Sequence, residues 1–170
     1  DYGLHNTLVG LNLRDRVRIG AAGKLVSGFD IVRTMAMGAD WCNSARGFMF
    51  ALGCIQANSC HTGTCPTGVT TQDPVRQRAL VVPDKTTRVF NFHQNTLKAL
   101  AELVAAAGLT HPGQIRPHHI VRRVSHNEIR LLANLYDFLQ PGELLDGEAE
   151  LAVFRTYWSK ARPDRFEAVV

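Results

Sequence analysis

The chain has 170 residues, 45% of them hydrophobic and 20% charged, which suffices for one globular core and is too little for two large ones. It has no run of eighteen apolar residues, and its first residues, D-Y-G-L-H-N, carry neither a basic leader nor an apolar signal core. Neither a membrane span nor an export signal is therefore expected, and the context reads as cytoplasmic, which argues against disulfides among the four cysteines. The net charge of +4 is densest at Arg116, His118, His119, Arg122 and Arg123, where no aromatics interleave, so it reads as a solvated face and not as a nucleic-acid surface.

The chain starts at Asp1 and passes almost at once into G-L-N-L-R-D-R-V-R-I-G, which reads as the middle of a domain, so a fragment or processed piece is expected. Arg16 to Gly20 alternate polar and apolar residues as a short strand does, and they stop at Ala21-Ala22-Gly23. Ser27 can then cap a helix over Phe29 to Met37, with Gly38 as its left-handed stop and Asp30 favouring the dipole at its start. A second strand is expected over Ala39 to Asn43, and Ser44 or Asn43 would cap an apolar helix from Ala45 to about Gly53. Two strand–loop–helix units in succession point to a parallel sheet or barrel.

That second helix runs straight into C-I-Q-A-N-S-C-H-T-G-T-C-P-T-G-V, where Cys54, Cys60 and Cys65 are separated by five and then four residues. Thiolates at those gaps cannot share a helix face, so the segment is expected to be a loop that wraps around something, turned by Gly63, Pro66 and Gly68. The triplet reads as an iron–sulfur ligand set, since such a cluster tolerates three protein thiolates. Zinc, which wants a fourth donor that His61 supplies awkwardly, and unligated buried cysteines are the alternatives. His61 itself reads as a surface loop histidine, and Cys42, alone in an apolar strand, as a buried side chain.

Residues 70 to 87, broken by Pro74 and Pro83, read as irregular connection. A long amphipathic helix follows, with Val89, Phe92, Thr96, Leu97, Leu100, Leu103, Val104 and Ala107 on one face, His93 packed near it, and Gly108 at its close. Ser125 and Glu128 make a capping box for a further helix through Ile129, Leu132, Ala133 and Tyr136, so the C-terminal part is expected to be mostly helical. No catalytic acid–base pair or nucleophile constellation stands out.

A small-residue loop after one strand and a helix start after the next can hold a phosphate by backbone N–H groups and the helix dipole. The donors here would be the amides around Ala22, Gly23 and Lys24 and those of Ser44, Ala45 and Arg46, with charge from Lys24 and Arg46.

The runs I-G-A-A-G-K-L-V-S-G-F-D-I-V, G-A-D-W-C-N-S-A-R-G-F-M-F-A-L-G-C and C-x5-C-x4-C-P-T-G-V-T-T-Q-D-P together resemble the FMN-binding domain of glutamate synthase and its shorter, stand-alone relatives. The resemblance covers about residues 3 to 110. It implies a TIM (β/α)8 barrel that binds FMN, the phosphate lying at the last two barrel strands, with a three-iron, four-sulfide (3Fe-4S) cluster on the loop after the eighth. By position, Cys54, Cys60 and Cys65 match the cluster cysteines, and Ala22–Lys24 and Ser44–Arg46 match the phosphate cradle. Larger members commonly have Asp-Gly where this chain has Ala22-Gly23, which points to the stand-alone relatives.

The fold class this implies is α/β, the C-terminal part of such a barrel: its last two units over residues 1–53, a cluster loop and irregular connection over 54–87, and a helical region over 88–170. A whole barrel takes about 250 residues, so the remaining strands are expected from another chain or from self-association. About 12 Å of helix axis separates Arg46 from Cys54 at 1.5 Å per residue, a short hop for electrons. In the family a reduced flavin delivers hydride to the imine of 2-oxoglutarate and ammonia, the nitrogen arriving as ammonia or from glutamine and the electrons from a donor protein or domain. A related oxidoreductase making another amino acid, such as an N-methylated glutamate, and a zinc-bound or metal-free structural module are the alternative functions.

Overall fold

The computed structural model describes residues 2–147 and 150–165; Asp1 and the end of the expected helical region, 166–170, lie outside them. In chain order they form α1 (Tyr2–Gly10), β1 (Gly20–Ala22), α2 (Gly28–Ala36), β2 (Trp41–Asn43), α3 (Arg46–Leu52), α4 (Pro74–Gln77), α5 (Val82–Ala106), β3 (Val121–Arg123), β4 (Ile129–Leu131) and α6 (Ala152–Tyr157), with 3-10 turns between. The chain divides into two compact units, where composition alone suggests one: residues 20–36 with 40–115, and residues 1–19 with 37–39 and 116–170.

The first unit carries the two expected strand–loop–helix repeats. β1 pairs parallel with β2, Ala21 opposite Cys42 and Ala22 opposite Asn43, so both following loops leave the same edge of the sheet. β1 starts at Gly20, four residues later than the alternation at Arg16 suggests: Arg14–Arg16 is a 3-10 turn, and ladder pairing begins only where β2 lies alongside. Ser27 caps α2 as expected. Its hydroxyl accepts from the Asp30 amide, and the Asp30 carboxylate accepts from the amides of Ser27 and Val26 in return. At α3 the expected cap is absent: Ala45 is the N-cap, without a side-chain hydrogen bond, because the Ser44 hydroxyl donates to the Leu25 carbonyl at 2.6 Å.

Residues 70–87 are more regular than their prolines suggest. Pro74 and Pro83 lie in the first turns of α4 and α5, where a missing N–H costs nothing and a fixed φ helps, so they start helices that the sequence reading takes them to break. α5 covers α2 and α3: Phe48 meets Phe92 edge to face with centroids 5.1 Å apart, and Val104 is buried. Leu97, expected on the packed face, is 45% exposed, and His93, expected packed, is exposed although its ring lies 5.8 Å from that of Phe48.

In the second unit the segment after Ser125 is not a helix. β3 and β4 form an antiparallel hairpin, Arg122 opposite Arg130, and the capping-box residues sit in its turn, where the Glu128 carbonyl accepts from Val124 and Ser125. A 3-10 turn, Leu132–Asn134, follows, so the described C-terminal residues are mostly turns and hairpin with the one short helix α6. Asn6 of α1, 1% exposed, donates to the Asp137 carbonyl and accepts from the Leu139 amide; Leu139 and Leu144 pack with Leu11, Leu151, Phe154 and Trp158. The strands of the described residues make two separate two-stranded sheets and close no barrel. No described helix is long and apolar enough to cross a membrane.

Candidate functional site

α3 ends at Gly53, left-handed at φ +106°, and its last carbonyls are taken up by the next amides, Gly53 onto Phe50 and Cys54 onto Met49 at 3.0 Å. This stop turns the chain out of the helix at the first cysteine. From there to Gln77 the chain has only a 3-10 turn, Cys60–Thr62, and the four residues of α4, and side chains from residues 71–77 hold it in place. The Thr71 hydroxyl donates to the Gly63 carbonyl at 2.6 Å, and the Arg76 guanidinium donates to the Thr64 carbonyl at 3.1 Å. Arg76 is itself paired with Asp73 at 3.4 Å, and Asp73 caps α4 by accepting from the Val75 amide. The span between Cys60 and Cys65 is thus pinned at two carbonyls by a segment that follows it.

The result is one small hollow, about 10 Å³ in volume, walled by Cys54, Cys60 and Cys65 together, with Met49, Ile55 and Val69 supplying apolar surface. Cys60 is exposed, Cys54 half-buried and Cys65 buried, and all are free thiols. The Cys65 pKa is drawn down to about 6, first by the Thr67 hydroxyl 3.3 Å from its sulfur and then by the Thr70 amide, so its thiolate is the favoured ligand form. Thr70 also lines the hollow, and its Oγ1 is buried without a hydrogen-bond partner. The chemistry of this donor set fits a group bound through sulfur. Among the described residues no three His, Cys, Asp or Glu side chains already gather as the donors of a single metal ion.

Of the remaining sequence candidates, His61 is exposed beside Cys60 and does not line the hollow. Cys42 sits half-buried on β2, its thiol pKa raised by desolvation, and takes no part either. The loops Ala22–Lys24 and Ser44–Arg46 both leave the C-terminal edge of the β1–β2 sheet and are tied by the Ser44–Leu25 hydrogen bond. Gly23 has φ +137° and Lys24 φ +54°, which turn the first loop sharply at the strand end.

Over residues 3–110, a span that contains both loops and all three hollow cysteines, the chain matches the conserved region in glutamate synthase. The chain belongs to the glutamate synthase family. It is 44% identical over 123 residues, 72% of its length, to the glutamate synthase large subunit-like protein YerD of Bacillus subtilis (strain 168). It is 36% identical over 105 residues, 61% of its length, to the glutamate synthase [NADPH] large chain of the same organism. To ferredoxin-dependent glutamate synthase 2 of Synechocystis sp. (strain ATCC 27184 / PCC 6803 / Kazusa) it is 40% identical over 98 residues, 57% of its length. The matched stretches span 23%, 7% and 6% of those three relatives.

Thr67 and Thr70 beside Cys65, and Thr71 and Arg76, which hold the loop, do not stand out in the sequence. The signal available was the hydroxyl-rich run around Cys65 and the Asp73-Pro74 helix start.

Proposed function

We propose that this chain is part of a flavin and iron–sulfur oxidoreductase of the glutamate synthase type, which reductively aminates 2-oxoglutarate to glutamate. Overall, 2-oxoglutarate, ammonia, two electrons and two protons give glutamate and water. The observation that carries the proposal is the placing of Cys54, Cys60 and Cys65 around one hollow inside the family-matched region.

In this reading the three thiolates hold a 3Fe-4S cluster, and the amides of Ala22, Gly23 and Lys24 with those of Ser44, Ala45 and Arg46 hold the FMN phosphate, Lys24 and Arg46 adding charge. When bound, FMN supplies hydride for the reduction and the cluster supplies electrons one at a time. The chain's own work is to set the ligand geometry. Thr71 and Arg76 hold the backbone between two of the ligands, the Thr67 hydroxyl favours the Cys65 thiolate, and Ser44 keeps the two cradle loops together.

Residues 1–53 are then the last two units of an FMN-binding barrel, residues 54–87 its cluster loop and residues 88–170 an appended region, with the other strands supplied by another chain or segment. The nitrogen source, ammonia or glutamine-derived, the electron-donor protein or domain and a cytoplasmic setting belong to the same reading. Ala22-Gly23, in place of the Asp-Gly of larger members, and the 44% identity to YerD favour a stand-alone enzyme of this type.

Iron, acid-labile sulfide and FMN are measured on anaerobically prepared protein, with an EPR spectrum of the oxidised form. Three irons per chain, with a signal lost in Cys60→Ala, is the expected result. Stoichiometric zinc, or no metal after anaerobic reconstitution, would overturn the redox reading in favour of a structural module.

A further inference from the structure

We propose that Thr70 belongs to the ligand-facing wall of the cysteine hollow: its hydroxyl donates a hydrogen bond to a sulfur of the iron–sulfur group and raises that group's reduction potential. The inference rests on the reading of the hollow as a cluster site and adds a residue to it.

The starting point is an imbalance in how the loop satisfies its hydroxyls. Thr62 donates to the Ser59 carbonyl and shares a hydrogen bond with Thr64, Thr67 bonds the Cys65 sulfur, and Thr71 donates to the Gly63 carbonyl. Thr70 Oγ1 is different. Among the described residues it is the buried side-chain polar atom that lacks a hydrogen-bond partner, and it sits on the wall shared by Cys54, Cys60 and Cys65. It lies near enough to Cys65 to favour the thiolate, yet makes no hydrogen bond of proper geometry with it.

Buried hydroxyls are nearly always bonded, and one held dry without a partner costs folded-state stability. A valine of the same shape would fill the position without that cost, so packing does not account for the threonine. A sulfur acceptor inside the hollow does account for it. Thiolate and sulfide sulfurs accept hydrogen bonds, and each such bond stabilises the more negative, reduced state of a cluster. The change at this residue is purely electrostatic: one electron enters the group, no bond at Thr70 breaks, and its proton stays on oxygen.

The test compares Thr70→Val and Thr70→Ser with wild type in the full chain. In urea unfolding of the metal-free protein, Thr70→Val is expected to be as stable as wild type or more so. A clear loss of stability would mean that the hydroxyl already has a protein partner, and would overturn the proposal. After anaerobic reconstitution with iron and sulfide, an EPR-monitored redox titration reads the midpoint. At the wild-type midpoint, Thr70→Val is expected to shift the oxidised-to-reduced ratio from one to about ten, equivalent to about 59 mV lower for one electron. Thr70→Ser should stay within twofold of wild type, and Thr70→Ala should repeat the valine shift if valine cannot be accommodated. A loaded wild type whose valine and alanine variants keep its midpoint sinks this inference alone. A wild type that takes up no iron or sulfide sinks the cluster reading with it.

Discussion

Between Cys54 and Gln77 the backbone is pinned by side chains reaching across it, Thr71 to Gly63 and Arg76 to Thr64, and Gly68 lies tight against α4. The loops after β1 and β2 are built more openly: Ser44 joins one to the other through Leu25, but a methyl group added at Gly23 would meet nothing within 4 Å. The cysteine hollow carries its own scaffold within some two dozen residues. The cradle loops are positioned by the strands they leave, and they offer backbone amides without walls. Preorganisation of the sulfur site is therefore a local property of this chain, whereas any phosphate site here depends on the sheet edge staying intact.

The sharpest way to break that comparison is to place the same methyl group in both loops. At Gly68, φ +76°, a Cβ would stand 2.4 Å from the Arg76 carbonyl oxygen, a backbone atom that cannot move aside alone. Gly68→Ala is expected to destabilise the unit by about 3 kcal/mol or more, combining a left-handed conformation with a steric clash, and to abolish iron retention. Gly23→Ala has only its φ of +137° to contend with, so about 1–2 kcal/mol is expected, with iron retention intact. Urea unfolding and iron content measure both; equal losses would show the two loops to be equally constrained.

Two polar substitutions sharpen the contrast at smaller magnitude. Ser44→Ala leaves the Leu25 carbonyl without its hydroxyl partner beside a residue only 3% exposed, which should cost about 1–2 kcal/mol in urea unfolding and leave cysteine reactivity unchanged. Arg76→Met removes a hydrogen bond made at the partly exposed edge of the cysteine loop, so about 1 kcal/mol is expected. Its main readout is local. In metal-free protein, iodoacetamide should modify Cys65 several-fold faster than in wild type, while Cys42 on β2 keeps its rate. An unchanged Cys65 rate would show that the Thr71 contact alone holds the loop.

Much of the first unit was legible in the sequence because its signals are local. Ser27 and Asp30 three apart, the glycines at 53 and 108, and the apolar face of α5 each report a helix end or side without reference to the rest of the fold. The failures come where a local signal has two meanings. Pro83 reads equally as a breaker or as a first-turn residue, and only the packed face that follows decides. Ser125 and Glu128 have capping-box spacing, yet their segment gains more from pairing Val121–Arg123 with Ile129–Leu131, a tertiary choice that a helical period does not exclude. The cysteine triplet was legible as a candidate for a ligand set because thiol chemistry is specific at any geometry. Thr70 was not, since a hydroxyl becomes informative only when the loop closes over it and withholds a partner.

The smallest expected effect tests whether the cradle side has any scaffold of its own. Asp30 accepts from the Ser27 amide first, then from the Ser27 hydroxyl and the Val26 amide, and those bonds hold its pKa below the ordinary carboxylate value. A depressed folded-state pKa contributes stability that is complete above the unfolded value near pH 4 and is lost as pH falls through the folded value beneath it. Asp30→Ala should therefore cost about 0.5–1 kcal/mol at pH 7. That deficit should hold from pH 7 to about 5 and shrink below about pH 4, where the wild-type carboxylate protonates and gives up the same bonds. Because the cap fastens only the start of α2, where the first cradle loop ends, Cys65 alkylation should not change. A deficit that persists undiminished at pH 3 would mean that Asp30 acts through its shape, and that the first cradle loop is held by packing and not by its cap.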